Sequence, residues 1–212
     1  MFFFNLFSYW IDPIIIVCFL PISLVIYYLN FIYFLLLFGK LILILTNLIH
    51  QPKEGIFQRS SKDKDFLFYL LRRNLKSFVL RIFNYFPLPW AKILALKLFN
   101  IKIPYKTGVL DSFIDSDFIE IGNNTILGEG SIIMSSMVLG DFLLIKKVIL
   151  KDGCTIGAFS VIAPGTIVEE GVILGMGSFT KINQRLEKGF IHFGRPAKKW
   201  KKNGDNFILT KK

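Results

Sequence analysis

The sequence predicts an all-β solenoid of hexapeptide repeats, preceded by N-terminal transmembrane helices and an amphipathic helical linker. Three patterns lead there. An aliphatic residue returns every sixth position in two frames. The first is Ile121, Leu127, Ile133, Leu139, Ile145, and after a one-residue slip the second is Leu150, Ile156, Ile162, Val168, Leu174. Small residues keep fixed offsets from these. Gly122, Gly128, Gly140, Gly157, Ala163 and Gly175 follow directly, and Thr125, Ser131, Cys154, Ser160, Thr166 and Ser178 stand four further on. A period of six fits neither an amphipathic helix nor an alternating strand. It describes one flat face of a coil in which three faces complete a turn and stack their aliphatic residues inward. The third pattern is an apolar run from Phe2 to Ile49 in which only Asp12 and Lys40 carry charge.

That run accounts for the composition. Of 212 residues, 53% are hydrophobic, too many for an ordinary soluble domain. A secretory signal peptide does not fit: there is no basic opening segment, the run is too long, and no small-residue cleavage site follows. The run is therefore a membrane anchor, placed at residues 1–50. About 20 apolar residues cross a bilayer, so it can hold two crossings, with Asn30 near the turn and Trp10, Tyr27, Tyr28 and Tyr33 at the interfaces. A single crossing from Ile14 to Phe38, with Leu41 to Ile49 in the interface, is the alternative. Lys40 bears on the choice, because a lysine mid-membrane costs about 2.5–3.5 kcal/mol.

Charge is distributed in blocks. Residues 51–106 carry 12 Lys/Arg against 3 Asp/Glu, residues 107–182 carry 4 against 9, and residues 183–212 carry 9 against 2. A basic segment directly after the anchor marks the cytoplasmic side and attracts anionic membrane lipids. Nucleic-acid binding does not follow from the net charge of +11, since the repeat segment itself is acidic. Cys18 lies in the anchor and Cys154 at a small-residue repeat position, so no disulfide or zinc framework is expected.

Residues 51–106 read as a basic amphipathic helical linker. Gln51 to Asp65 is polar. Phe66 to Phe86 places Phe66, Leu70, Leu71, Leu75, Phe78, Val79, Ile82 and Phe83 at helical spacing, with Arg72, Arg73, Lys76 and Arg81 elsewhere. Such a helix either packs on the solenoid or lies in the bilayer interface with its basic face toward phosphates. Pro87 and Pro89 end it, and Trp90 to Phe99 forms a short second helix. Gly108 to Asp117 leads into the hexads, which run to about Thr180 within a repeat domain at 107–199. From Lys198 the chain is basic and frayed, with residues 200–212 as a tail.

The stretch from Ile156 to Lys199 combines the repeat with an Ala163-Pro164-Gly165-Thr166 turn and a closing Gly194-Arg195-Pro196-Ala197-Lys198 segment. It resembles the end of the hexapeptide-repeat acyltransferases, in a membrane-anchored variant, over residues 107–199. The resemblance implies a left-handed parallel β-helix, a homotrimer, and an acyl-CoA donor such as acetyl-CoA in a groove between neighbouring solenoids. It implies donor contacts at Ala158, Met176, Thr180, Lys181 and Lys198, the two lysines acting as point charges for phosphates.

In that family a histidine commonly acts as general base, because a hydroxyl is a poor nucleophile at neutral pH. The corresponding stretch here, Ile133 to Asp141, has none; Ser135 and Ser136 stand in its place. Of the two histidines in the chain, His50 closes the anchor and is expected at the bilayer interface, whereas His192 lies close to the closing segment. His192 and Asp141 are the candidate bases. A three-histidine metalloenzyme on the same fold is excluded with only two histidines, and no metal site is expected. The function implied is acyl transfer to a hydroxyl or amine of a membrane-linked or cytosolic-face acceptor. The alternative is a membrane-tethered trimeric scaffold or ligand-binding protein without catalysis.

Overall fold

The computed structural model describes residues 13–84, 86, 89–115 and 117–203. The chain divides into two compact units, Met1–Gly39 and Lys40–Lys212. Helix α1 spans Pro13–Ile49, 37 residues without a break. The expected turn at Asn30 is absent, because the Asn30 amide donates to Ile26 O at 2.9 Å within the same helix. Ser23 folds back in the same way onto Leu20 O. The polar side chains are thus satisfied locally, and one helix replaces the two expected. At 1.5 Å per residue it is about 55 Å long, well beyond the roughly 30 Å of a hydrocarbon core. Phe19–Ile49 is long and apolar enough to cross a membrane. Trp10 lies outside the described residues.

The second unit begins at Lys40, whose ammonium is held within it. It donates to Leu98 O at 2.5 Å and Asn100 Oδ1 at 2.9 Å, at the C-terminus of α3 (Pro89–Leu98). The negative end of that helix and its unpaired carbonyls satisfy the charge. Helix α3 opens on Pro89 and closes with Asn100 in the left-handed region (φ 66) while Ile101 N returns to Leu96 O. Before it, α2 spans Lys64–Asn84 and is N-capped by Asp63, whose Oδ1 accepts from Asp65 N at 2.8 Å. Pro87, expected as the terminator of α2, lies outside the described residues.

Three parallel sheets make the repeat domain. The first runs β2 (Gly108–Val109), β5 (Ile126–Leu127), β10 (Thr155–Ile156), β13 (Ile173–Leu174), β15 (Phe190–Phe193). The second holds β3 (Phe113–Ile114), β6 (Ile132–Ile133) and β11 (Val161–Ile162), extended by a bridge from Val161 to Phe179. The third holds β4 (Ile119–Ile121), β9 (Val148–Leu150), β12 (Ile167–Val168) and β14 (Arg185–Leu186). Partners such as Thr155 and Ile173, or Ile167 and Arg185, are 18 residues apart, one coil of three hexads. Leu127, Ile133, Leu150, Ile156, Ile162, Val168, Leu174 and Leu186 are fully buried in one continuous core.

One coil is longer. Ile126 pairs with Thr155, Ile132 with Val161 and Glu120 with Ile149, each 29 residues apart rather than 18. The eleven extra residues leave the coil as a hairpin, β7 (Ser136–Leu139) and β8 (Phe142–Ile145). The apparent one-residue slip is therefore an insertion. Leu139 is exposed on the hairpin, and Ile145 packs with Tyr69 and Leu143 in a second cluster. The stretch expected to be a plain polar linker contributes β1 (Gly55–Gln58), which pairs antiparallel with β8.

Helix α2 docks on this assembly. Arg72 and Lys76, expected on a polar face, are both buried. Lys76 Nζ lies 2.5 Å from Asp117 Oδ1, and Arg72 Nε lies 3.8 Å from Oδ2. The coil continues past Thr180 through β14 and β15. Lys198–Lys202, expected to fray, forms β16 antiparallel on β15. A lysine-rich edge strand of this kind discourages further edge pairing. The tail from Gly204 onward lies outside the described residues.

Candidate functional site

An open groove of about 570 Å³ runs along the second sheet. It is lined by Met137 of the hairpin and by Val161, Ala163, Phe179, Thr180, Lys181 and Ile182. Its floor is set by the coil-to-coil contacts. The Thr180 hydroxyl accepts from Ala163 N at 2.8 Å and bonds Thr166 Oγ1 at 2.9 Å. Thr180 is thus buried, and it fixes the backbone that carries Lys181. Lys181 is exposed, and its ammonium makes no ion pair among the described residues. The closing segment lies across the same place, with Ala197 N donating to Phe179 O at 2.7 Å and Gln184 Nε2 to Ala197 O at 2.7 Å. Lys198 is exposed at the start of β16.

Ala158 and Met176 stand on successive coils at the corner before the second sheet. The coils touch there through backbone. A Cβ on Gly157 would lie 2.5 Å from Met176 N, and one on Gly128 would lie 2.5 Å from Ala158 N. Only glycine permits this approach. Outside it, Phe159, Met176 and Phe193 expose large apolar surfaces. Of the five predicted donor residues, Thr180 and Lys181 line the groove, whereas Ala158, Met176 and Lys198 lie outside its lining.

The two predicted bases do not meet. His192 pairs in register with Leu174, in the interior column that Leu127 and Ile156 continue. It is 3% exposed, and its Nδ1 has no partner. Burial pulls its pKa below the ordinary histidine value, against a smaller upward pull from the Phe190 backbone and Glu187. The ring thus occupies a core position. Asp141 is exposed at the turn between β7 and β8, and its carbonyl accepts from Arg59 N at 2.7 Å. His50, expected at a bilayer interface, pairs with Asp65 at 3.0 Å and stacks on Phe68 with 4.8 Å between ring centroids. Cys154 is buried as expected, its thiol pushed up to about 11 by desolvation.

Where a base was expected, the structure holds a closed polar network. Ser135 Oγ donates to Asp115 Oδ2 at 3.3 Å, Ser136 Oγ donates to the same oxygen, and the Tyr69 hydroxyl donates to Ser136 Oγ. Arg73 Nε lies 3.7 Å from Asp115 Oδ1. Burial, then the Asp115 charge, pushes the Tyr69 phenol far above its ordinary pKa, so it holds its proton. Burial pulls Lys76 below its ordinary value while Asp117 opposes that pull. The serine pair is thus committed to joining the hairpin root, α2 and the first coil. The sequence signal for this network was Asp115-x-Asp117 ahead of the hexads and Arg72-Arg73-x-x-Lys76 in α2, two short motifs about 40 residues apart. Among the described residues no three His, Cys, Asp or Glu side chains converge on a metal-sized site.

No family model matches the chain. Among curated proteins it is 52% identical over 54 residues to a 2,3,4,5-tetrahydropyridine-2,6-dicarboxylate N-succinyltransferase of Rickettsia akari, covering 24% of this chain and 19% of that protein. It is 40% identical over 80 residues to the protein of that name from Sodalis glossinidius, covering 36% and 28%. The chain thus spans less than a third of the length of these relatives. Among solved structures, a maltose O-acetyltransferase from Clostridium difficile 630 superposes with a TM-score of 0.52 at 17% identity, over 63% of this chain and 87% of that one. A hexapeptide-repeat containing acetyltransferase from Vibrio cholerae also gives 0.52, at 13% identity, over 70% and 97%. These two likenesses establish the fold.

Proposed function

We propose that the chain belongs with the hexapeptide-repeat acyltransferases and moves an acyl group from acyl-CoA to a hydroxyl or amine at a membrane surface. The observation that carries this is the open groove with the free ammonium of Lys181 at its edge. The coil is then left-handed, and three chains associate so that each groove is closed by a neighbour. Lys181 and Lys198 face the donor's phosphates, the Ala158 and Met176 corner faces its pantetheine arm, and Thr180 holds the groove in shape. The donor supplies the activated acyl thioester. The protein supplies position, which converts a bimolecular encounter into a local one, and a group that accepts the acceptor's proton. With His192 in the core, the exposed carboxylate of Asp141, reaching from the hairpin tip into a neighbouring chain's groove, is assigned to take that proton as the acceptor attacks the thioester and CoA leaves as its thiolate.

Residues 1–50 hold the anchor, with the part of α1 before Lys40 as a single span. Residues 51–106 join it to the repeat domain at 107–199. The basic stretch after the anchor puts the repeat domain on the cytoplasmic side, where acyl-CoA and anionic lipid head groups are both at hand.

Release of free CoA from acetyl-CoA, with a cell-envelope extract as acceptor source, tests the assignment. Asp141→Asn is expected to lose about 10²–10⁴-fold in rate, whereas His192→Leu keeps turnover. Loss in His192→Leu with Asp141→Asn unaffected reverses the roles. A second reading, a tethered scaffold that binds donor without turnover, is favoured by one observation: the Ser135 and Ser136 hydroxyls are committed to Asp115. It predicts saturable acetyl-CoA binding and no CoA release with any acceptor.

A further inference from the structure

Several lysine and arginine side chains of the second unit sit against its interior. Lys40 is held by the end of α3, and Lys76 and Arg72 by Asp117. Lys92 of α3 has no polar contact shorter than 3.2 Å among the described residues. Its side chain is 13% exposed, yet its nearest carboxylate, Asp111, is 4.0 Å away and 77% exposed. Its two other contacts, to Leu110 O and Ser112 O, are both 3.2 Å. A mostly buried cation whose partners are two carbonyls at 3.2 Å and one solvent-exposed carboxylate at 4.0 Å is incompletely compensated.

Lys92 lines a cavity of about 240 Å³ between the second half of α2, helix α3 and the first coil. Leu80, Leu96, Phe113 and Ile114 form its apolar wall, and Arg81 adds a second cation at the rim. Arg81 is exposed and forms no ion pair among the described residues. Ser131 also borders the cavity. It is fully buried and its hydroxyl has no partner. The equivalent hydroxyls one repeat away are satisfied, Thr125 by Lys151 O and Ser160 by Gly175 O.

We propose that this cavity is a binding site for a small anionic amphiphile, a phosphate or carboxylate head with a short apolar arm. The anion lies between Lys92 and Arg81, and the arm lies against Leu80, Leu96 and Phe113. At about 30 Å³ per water the cavity holds roughly eight waters, enough for a head group and a few carbons but not a whole lipid. The site is separate from the groove along the second sheet, and the proposal stands whether or not the chain transfers acyl groups.

The test is calorimetric titration of the full chain in phosphatidylcholine nanodiscs with butyl phosphate, with butanol as the neutral control of equal tail. Saturable binding of butyl phosphate and none of butanol is expected. Lys92→Met and Arg81→Gln are each expected to weaken it about ten- to a hundredfold, the range for one charge-assisted hydrogen bond. Arg81 is on the surface, so its variant reads the site even if Lys92→Met does not fold. Nanodiscs carrying phosphatidic acid separate the two natural sources. Loss of butyl phosphate binding there assigns the site to a lipid head group, and unchanged binding assigns it to a soluble anion. Absence of saturable binding, or equal affinity in Arg81→Gln and the parent protein, overturns the proposal.

Discussion

Asp117 joins α2 to the repeat domain, and replacing it tests how the second unit is held together. The side chains of Arg72 and Lys76 are 3% and 4% exposed, and Asp117 lies between them. Asp117→Asn keeps the size and removes the charge, leaving two buried cations facing a neutral amide. Breaking a buried pair from one side costs about 3–5 kcal/mol. Lys76 carries most of this, because its contact is 2.5 Å whereas Arg72 is 3.8 Å away and also donates to His50 O. For a unit of this size that loss corresponds to a fall in Tm of about 6–20 °C. Thermal unfolding in detergent, followed by amide exchange across α2, reads both the size and the place of the loss. The double variant Lys76→Met, Asp117→Leu is expected to recover most of it, since removing both charges together is often neutral or better. A loss below about 1 kcal/mol in Asp117→Asn with α2 amides still protected would refute the idea that this ion pair docks the helix.

Two further outcomes follow from the register. Because burial depresses the His192 pKa, the folded state holds the neutral ring while the unfolded chain takes up a proton below about 6.5. Stability from this residue is therefore full above that value and falls as pH drops through the depressed folded pKa. His192→Leu, which continues the column of Leu127, Ile156 and Leu174, should be the more stable protein at pH 5 relative to pH 8 in urea titrations; a parallel pH dependence in both proteins contradicts the interior placement. Excision of residues 135–145 joins Met134 to Lys146 and returns Leu150 to six residues after Ile133. It should preserve the β-rich circular dichroism spectrum while removing Met137 from the groove; loss of the spectrum would mean the hairpin is required for the coil.

Much of this architecture was written in the hexads. Ile121, Leu127, Ile133 and the five residues from Leu150 to Leu174 all occupy the buried column that their spacing indicated. Leu139 and Ile145 kept the same spacing inside the hairpin, so periodicity alone could not separate an insertion from a slip. The break was visible only in the Gly140-Asp141 pair between two apolar runs, a hairpin signal the repeat obscured. The single helix α1 was missed for a local reason, since Asn30 looks like a turn residue but bonds its own helix. For the candidate site, Thr180 and Lys181 were singled out as a Thr-Lys pair after the last hexads, and both line the groove. The inward direction of His192 was not legible, because only strand register shows it. Asp115, Tyr69 and Lys92 were missed because their roles depend on partners far along the chain, to which no local pattern points.

The central claim is that the groove along the second sheet holds an acyl-CoA donor. Titration of the nanodisc-embedded chain with acetyl-CoA, in parallel with Lys181→Ala and Lys198→Ala, tests it directly. The account predicts saturable binding by the parent protein and weaker binding in each variant, with the difference shrinking as salt rises and screens the native contacts. No saturable binding, or the same affinity in all three proteins at low salt, contradicts it.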